Sequence, residues 1–355
     1  MSNRQFIILV IVLLFGLNLN SPAECEPFRL LVTKFAGPAP VSHRAHTTVY
    51  FEMIKAFKSI DNPDKGAWIL YGMENLEQQN HDAALLAAGW PSVRADLAIW
   101  GQVHIYDDGV VVQLYLTLTP LIKKRRIRPE LWHLNFNDGN VPLRLELDIP
   151  GKFYQFEPFL LPDKIILAFE NPQQGIEIYS KRQGGQVIGT IGEVMRFYEI
   201  HENSILLNSD GVKGWVRIKP ILQRQSEAID FSKGVVRLLR GDWRGSRRSF
   251  NNVLNYPNLP QHLRTHALIY IGLAKEKAGK TGLNEFKQAY SINPLNKVAA
   301  AYLLMGRVSK ILRLKKTSSQ KQLQNARYDL QKTLSATRFL FEQEDPWIAK
   351  LKPLL

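Results

Sequence analysis

Cysteine is almost absent from this chain of 355 residues, and its scarcity excludes one kind of stabilisation. Cys25 is the one cysteine, so no disulfide can join two parts of the chain. The domains must therefore be held together by burial of apolar side chains, which a hydrophobic content of 45% allows. Lipidation of Cys25 is a further option, although Glu24 occupies a position where lipidation signals have a small residue.

The N-terminal apolar run is too short for a membrane span. Residues 6–19 (FIILVIVLLFGLNL) fall short of the roughly 20 that cross a bilayer. Arg4 precedes the run, and the small residues of Ser21-Pro22-Ala23 follow it, as in a secretory signal cleaved after Ala23. We therefore predict a signal peptide over residues 1–23 and a periplasmic protein, with an uncleaved membrane anchor as the alternative.

Acidic residues are in deficit, and the deficit is local. The chain has 46 Lys and Arg against 32 Asp and Glu, a net charge of +14. Residues 226–355 hold 23 of the basic and nine of the acidic residues, so the first 225 residues balance to zero. In an exported protein, such an excess favours an acidic protein segment, cell-wall polymer or lipid headgroups over nucleic acid. A basic surface that is merely solvated is the alternative.

Residues 28–120 alternate between strand and helix patterns. Apolar, β-branched runs predict strands, and apolar positions at helical spacing predict helices. Asp107-Asp108-Gly109 marks a hairpin. The predicted strands are 28–35, 68–73, 97–106 and 110–119, and the predicted helices are 45–60 and 74–88.

This βαβαββ order resembles the small α/β domain at the N-terminus of TolB and in CsgG-like envelope proteins. The resemblance is carried by LLVTKF (30–35) and by ADLAIWGQVHIYDDGVVVQLYLTL (95–118), with Gly101 ending a strand before an outer hairpin. It implies an assembly or interaction domain rather than a catalytic one. Alternating residues up to 171 predict a strand-rich extension, so the predicted domain covers residues 27–171.

Residues 172–222 predict five short strands and resemble a bacterial SH3-like barrel. The resemblance is carried by Val187-Ile188-Gly189-Thr190-Ile191 and by the run DGVKGWV at 210–216. In such barrels ligands lie across exposed aromatic residues near the loops. Phe197, Tyr198 and Trp215 are the candidate contacts here, with core packing as the alternative role for Trp215.

From residue 226 to 345 the pattern becomes helical and repeats. Gly234, Ser246, Phe250 and Val253 stand at offsets 0, 12, 16 and 19, the spacing of the tetratricopeptide (TPR) repeat, which this region resembles. A second unit contains Gly272, Phe286, Ala289 and Pro294, with its glycine two residues too close, and a third begins with Tyr302, Met305 and Gly306 before a long helix at 323–341. Stacked helix pairs of this kind form a groove. The cations predicted to line it are Lys233, Arg237, Arg240, Lys275 and Arg307.

Two further patterns point to chemistry, and we interpret neither as a site. GLAKEKAGKTGL (272–283) matches a relaxed phosphate-binding loop, but the residues before Gly279 have helical spacing where such a loop needs a strand. We predict a helix–helix turn there, with Gly279 as a left-handed cap. His262 and His266 have metal-clip spacing but no third ligand nearby.

The sequence therefore predicts a multidomain α+β protein: a small βαβαββ domain, an SH3-like β-barrel and an all-α TPR solenoid. We expect a non-catalytic scaffold without a cofactor or metal. Its expected partner is an acidic protein segment or peptidoglycan, bound through the basic groove and the barrel. The alternatives are an enzyme of the cell wall or its activator, and an exporter subunit that binds anionic lipid or polysaccharide, with peripheral membrane association. The oligomeric state stays open.

Overall fold

A computed structural model describes the chain over residues 28–58, 68–74, 76, 80–107, 109–119, 132–138, 141–147, 151–161, 177–190, 195–201, 204–217, 227–317, 319–342 and 345–355. The predicted signal peptide lies outside these ranges. No helix within them is both long and apolar enough to cross a membrane.

The first unit is a mixed sheet with a helix on each face. Its strand order is β2-β1-β3-β4-β7, with β8 also paired to β4. β1 runs parallel to β2 and β3, and β4 is antiparallel to its neighbours. The order β-α-β-α-β-β is as predicted. The elements are β1 (Phe28–Thr33), α1 (Ala39–Lys58), β2 (Trp68–Glu74), α2 (His81–Gly89), β3 (Leu97–Tyr106), β4 (Gly109–Leu118), β7 (Phe153–Gln155) and β8 (Phe159–Leu161).

Both helices begin at places other than predicted. α1 starts at Ala39, before the predicted residue 45, because prolines are tolerated in a first helical turn, where the N–H groups have no helical partner. α2 was predicted from residue 74, which is wrong, since β2 runs through Glu74. The helix begins at His81, where the Asn80 side chain accepts a hydrogen bond from the Ala83 N–H.

The two faces of this sheet are covered differently. Alternate residues of β1 point to opposite faces, so Leu30 and Val32 join the core with α1, whereas Leu31 packs with α2. On the α1 face the core continues from the sheet into the C-terminal helices. One continuous apolar core therefore joins the sheet and α1 to the C-terminal helices.

Two antiparallel sheets follow along the chain. One is the hairpin β5 (Trp132–Asp138) and β6 (Val141–Leu147). The other has the order β10-β9-β13-β12-β11 and is open within the described residues, where the sequence predicts a closed barrel. β10 is a four-residue edge strand whose pairing with β9 shifts register after Val187, so it offers little length for closure. The strands are β9 (Glu177–Tyr179), β10 (Val187–Thr190), β11 (Met195–His201), β12 (Ser204–Ser209) and β13 (Val212–Arg217).

The C-terminal region is helical, and each long helix packs against the next. The predicted small positions lie where helices approach closely: a Cβ on Gly234 would stand 2.8 Å from the Phe250 ring, and one on Gly272 2.5 Å from the Phe286 ring. The helices are α3 (Glu227–Leu239), α4 (Trp243–Leu254), α5 (Gln261–Lys277), α6 (Leu283–Ile292), α7 (Lys297–Thr317), α8 (Gln320–Thr337) and α9 (Pro346–Ala349).

Aromatic contacts join the helices to the strands. The Tyr154 ring lies 4.6 Å from that of Phe231 on α3, centroid to centroid, and its hydroxyl lies 2.9 Å from that of Tyr270 on α5. Trp132 on β5 stacks on Phe286 of α6 at 5.3 Å. These α3, α5 and α6 side chains are buried against the chain's own strands.

Candidate functional site

Positive charge is concentrated where α3 packs on α4. Lys233 and Arg237 are one turn apart on α3, so both project from the same side of the helix. Arg248 on α4 lies close enough for its charge to act on Arg237. We call Lys233, Arg237 and Arg248 the cationic cluster.

Hydrogen bonds fix Arg237 in this cluster. One terminal nitrogen donates to the Ser249 hydroxyl at 2.9 Å and to the Gly245 carbonyl at 3.3 Å. The Asp242 carboxylate lies 3.8 Å from its Nε, while the other Asp242 oxygen accepts from the Gly245 N–H at the start of α4. The helix–helix turn therefore holds the guanidinium in place.

The positive charge of Lys233 is less well balanced by carboxylates than that of Arg237. Burial is the main cause that lowers the pKa of Lys233, and the neighbouring Arg237 lowers it further, while Asp230 opposes both. Burial also lowers the pKa of Arg237, with Asp242 opposing and Arg248 adding to the effect. Lys233 forms no ion pair in the part of the chain that the structure describes. Such a half-buried ammonium beside a guanidinium favours an anionic ligand.

Asp230 provides the cluster's buried negative charge. Burial raises the pKa of its carboxyl group, although Tyr256 and Lys233 act in the opposite direction. The Tyr256 hydroxyl donates to this carboxylate at 3.2 Å, and burial is the main cause that raises the pKa of Tyr256. Asp230 thus accepts a hydrogen bond from Tyr256, and its negative charge only partly offsets the positive charges of Lys233 and Arg237.

The remaining predicted groove cations have other positions or partners. Arg240 follows the end of α3, next to Gly241 in the left-handed region. Lys275 forms an ion pair with Glu285, and Arg307 forms one with Asp329 at 2.6 Å. The structure therefore brings Lys233 and Arg237 together but gives Lys275 and Arg307 separate carboxylates. That these five groove cations contact a partner stays a prediction.

The predicted aromatic contacts lie on the five-stranded sheet. Phe197 is on β11, opposite Leu207. Tyr198 occupies the register shift on the same strand, is 48% exposed, and has the Lys213 ammonium 4.3 Å from its ring centroid. Trp215 on β13 is half-buried and pairs directly with Tyr179.

The two other sequence patterns have structural roles. His262 Nε2 lies 2.9 Å from the Gln155 carbonyl and His266 Nδ1 lies 2.8 Å from the His262 carbonyl. No cluster of three or more potential metal ligands occurs among the described residues. Gly279, two residues after the end of α5, has a φ of +75°, so the predicted turn with a left-handed cap is confirmed.

Sequence reasoning missed Arg248, Asp230 and Tyr256 as neighbours of Lys233 and Arg237. The spacing of Asp230, Lys233 and Arg237 places all three on one side of a helix, and this signal could have identified Asp230. Arg248 on α4 and Tyr256 after it reach the cluster only because α4 packs on α3. The spacing of residues along one helix holds no information about that packing.

Comparisons with models of known protein families, with curated proteins and with solved structures found no match for this chain.

Proposed function

We propose that this chain is a non-catalytic periplasmic scaffold that binds an acidic protein segment at the cationic cluster. The observation that carries the proposal is the half-buried Lys233 ammonium held beside the Arg237 guanidinium. Two like charges in a partly desolvated site repel each other, and a carboxylate placed between them would relieve that repulsion. The +14 excess confined to residues 226–355 adds long-range attraction for the same ligand.

The geometry favours the α3–α4 side over the surface that faces the strands. Phe231 and Tyr270 are buried against Tyr154 of β7, so an acidic chain there would have to displace aromatic contacts. The cationic cluster lies instead among polar groups of α4 and its turn, where Arg248 is exposed. We therefore place the partner's carboxylates at the cluster.

The test measures binding of a labelled peptide of alternating Glu and Ser by fluorescence anisotropy. The variant K233E/R248E reverses two cluster charges without touching the hydrogen-bonded Arg237. Its matched control is K287E/K332E, which makes the same change in net charge at exposed lysines of α6 and α8. We expect K233E/R248E to weaken binding by about tenfold or more and the control to keep most of the affinity.

Equal weakening by both double variants would contradict a specific site, because it would reflect net charge alone. Vesicles containing phosphatidylglycerol form a parallel arm. If the wild-type chain bound these vesicles and not the peptide, the lipid-binding alternative would replace the scaffold proposal. Circular dichroism of each variant establishes that the helices are retained.

A further inference from the structure

A second feature, far from the basic helices in sequence, is a group of three aromatic rings on the α2 face of the main sheet. Trp100, Tyr115 and Phe153 come from adjacent strands β3, β4 and β7. The Trp100 and Tyr115 rings stack at 4.1 Å with an angle of 15°, and the Tyr115 and Phe153 planes differ by 13° at 5.7 Å. We call these three residues the aromatic platform.

The platform is rigid at its base and exposed at its margin. Trp100 is 3% exposed, and its indole N–H donates to the Thr117 hydroxyl at 3.1 Å. His81, at the start of α2, contacts the same hydroxyl at 3.0 Å. Phe153 is 41% exposed and Tyr115 is partly exposed. An anchored indole thus supports aromatic surface that reaches solvent, and exposed apolar patches often mark binding sites.

The described strand neighbours of the platform on this face are uncharged, and the His81 ring of α2 lies 5.4 Å from the Phe153 ring, centroid to centroid. Directly paired residues of adjacent strands share a face, and strand register places Phe153 opposite Thr117 and Gln155 opposite Tyr115. The next pair along β3 and β4 is Gln102 with Gln113. Thr117 and Gln113 are buried and already hydrogen-bonded. Gln155 is exposed and Gln102 is partly exposed, so beside the rings these strands present two side-chain amides, which both donate and accept hydrogen bonds.

We infer that the aromatic platform binds a neutral oligosaccharide chain. A sugar ring has a face of C–H groups that packs on an aromatic ring and a rim of hydroxyl groups that bonds to amides. The platform with Gln102 and Gln155 matches both parts. The uncharged strand neighbours favour a neutral ligand over an acidic segment at this place, and the first 225 residues have no net charge to attract one. This second site is independent of the cationic cluster.

The test is isothermal titration of the full chain with two neutral tetrasaccharides, chitotetraose and cellotetraose. We expect at least one to bind the wild-type chain. The variants F153A and Q155A remove one exposed contact each, and we expect F153A to weaken binding by about tenfold. The control F339A removes an equally large side chain that is 67% exposed on the C-terminal helices, and it should bind as the wild type does.

The inference fails if neither sugar binds the wild-type chain, or if F153A and Q155A both bind as tightly as F339A does. Thermal melting of each variant separates loss of binding from loss of fold. If F153A unfolds, Q155A still tests the site, because the Gln155 side chain is exposed and polar and its removal should leave the fold intact. K233E/R248E should bind the sugar normally, and reduced sugar binding by that variant would contradict the independence of the two sites.

Discussion

Two tyrosine hydroxyl groups meet at the contact between the sheet and the helices. Tyr154 and Tyr270 are both buried, their oxygen atoms lie 2.9 Å apart, and burial raises the pKa of each phenol. A buried hydroxyl that loses its partner keeps its desolvation cost and loses its hydrogen bond. The pair therefore makes correct docking of α5 on β7 more favourable than a displaced arrangement.

We expect Y270F to lower the free energy of unfolding by about 1–3 kcal/mol, because it leaves the Tyr154 hydroxyl buried and unsatisfied. Urea unfolding measures this. The double variant Y154F/Y270F removes both hydroxyl groups and should recover most of the loss. If the two substitutions were additive instead, the hydroxyl groups would not be coupled.

The pKa of Lys233 predicts a pH dependence of binding. Burial and Arg237 lower this pKa from the ordinary 10.5, and a bound carboxylate would raise it again. Binding of the acidic peptide should then take up protons, so its affinity should fall as the pH rises through the lowered pKa towards 10.5. Anisotropy titrations over the alkaline range measure the effect. K233R keeps its charge there and should show a flatter profile, whereas equally steep profiles would contradict a role for Lys233.

At the scale of elements, the turn between α5 and α6 is held by one carboxylate. Glu276, whose side chain is 3% exposed, accepts from the Gly282 N–H at 2.7 Å, the Ser309 hydroxyl at 2.8 Å and Arg313 at 2.6 Å. Arg313 also donates to the Lys280 carbonyl. The stretch that matches a phosphate-binding loop thus consists of the end of α5 and a turn that is hydrogen-bonded to α7.

We expect E276Q to destabilise the protein by about 2–3 kcal/mol, because charge-assisted bonds at a buried carboxylate are lost together. D329N is the comparison, since Asp329 pairs with Arg307 but is 39% exposed, and it should cost about 1 kcal/mol or less. Chemical unfolding of both variants decides this, and similar losses would show that burial of the carboxylate is unimportant.

Close helix packing gives a second prediction at this scale. A Cβ on Gly272 would stand 2.5 Å from the Phe286 ring, so G272A should cost about 1–3 kcal/mol through overpacking. Gly89 in α2 has open space around it, and G89A should be neutral or slightly stabilising. Thermal melts of the two variants test this, and a G272A variant as stable as the wild type would contradict the close approach.

At the scale of the whole molecule, Phe231 connects the helices to the sheet. Its ring contacts Tyr154 and Phe156 of the strand region and Phe250 and Tyr270 of the helices. We expect F231A to cost about 3–5 kcal/mol through the cavity it leaves. Hydrogen exchange should show β4 and α5 losing protection together, with F339A as an exposed control. Loss confined to the helices would mean that the two units unfold independently.

The local pattern of the sequence accounts for much of the fold. The turn signal Asp107-Asp108-Gly109 between the predicted strands 97–106 and 110–119 indicated the β3–β4 hairpin. The spacing of Gly234 and Phe250 indicated a helix pair in which these residues lie close together. Both rest on neighbours close in the chain, whose geometry the backbone period sets. The start of α2 was missed because Asn80 and Ala83 decide it by a single capping bond.

The sequence by itself determined the element order of the first unit, the helix pairs and the segment that carries the excess charge. Only the tertiary structure decided which surfaces are occupied. Tyr154 packs on Phe231 and Tyr270, and Trp132 packs on Phe286, so these helix side chains are covered by the chain's own strands. Glu285 and Asp329 form ion pairs with Lys275 and Arg307, two of the predicted groove cations. These contacts join residues far apart or on different helices. Helical periodicity shows which side chains share a face of one helix, but not which element packs against that face.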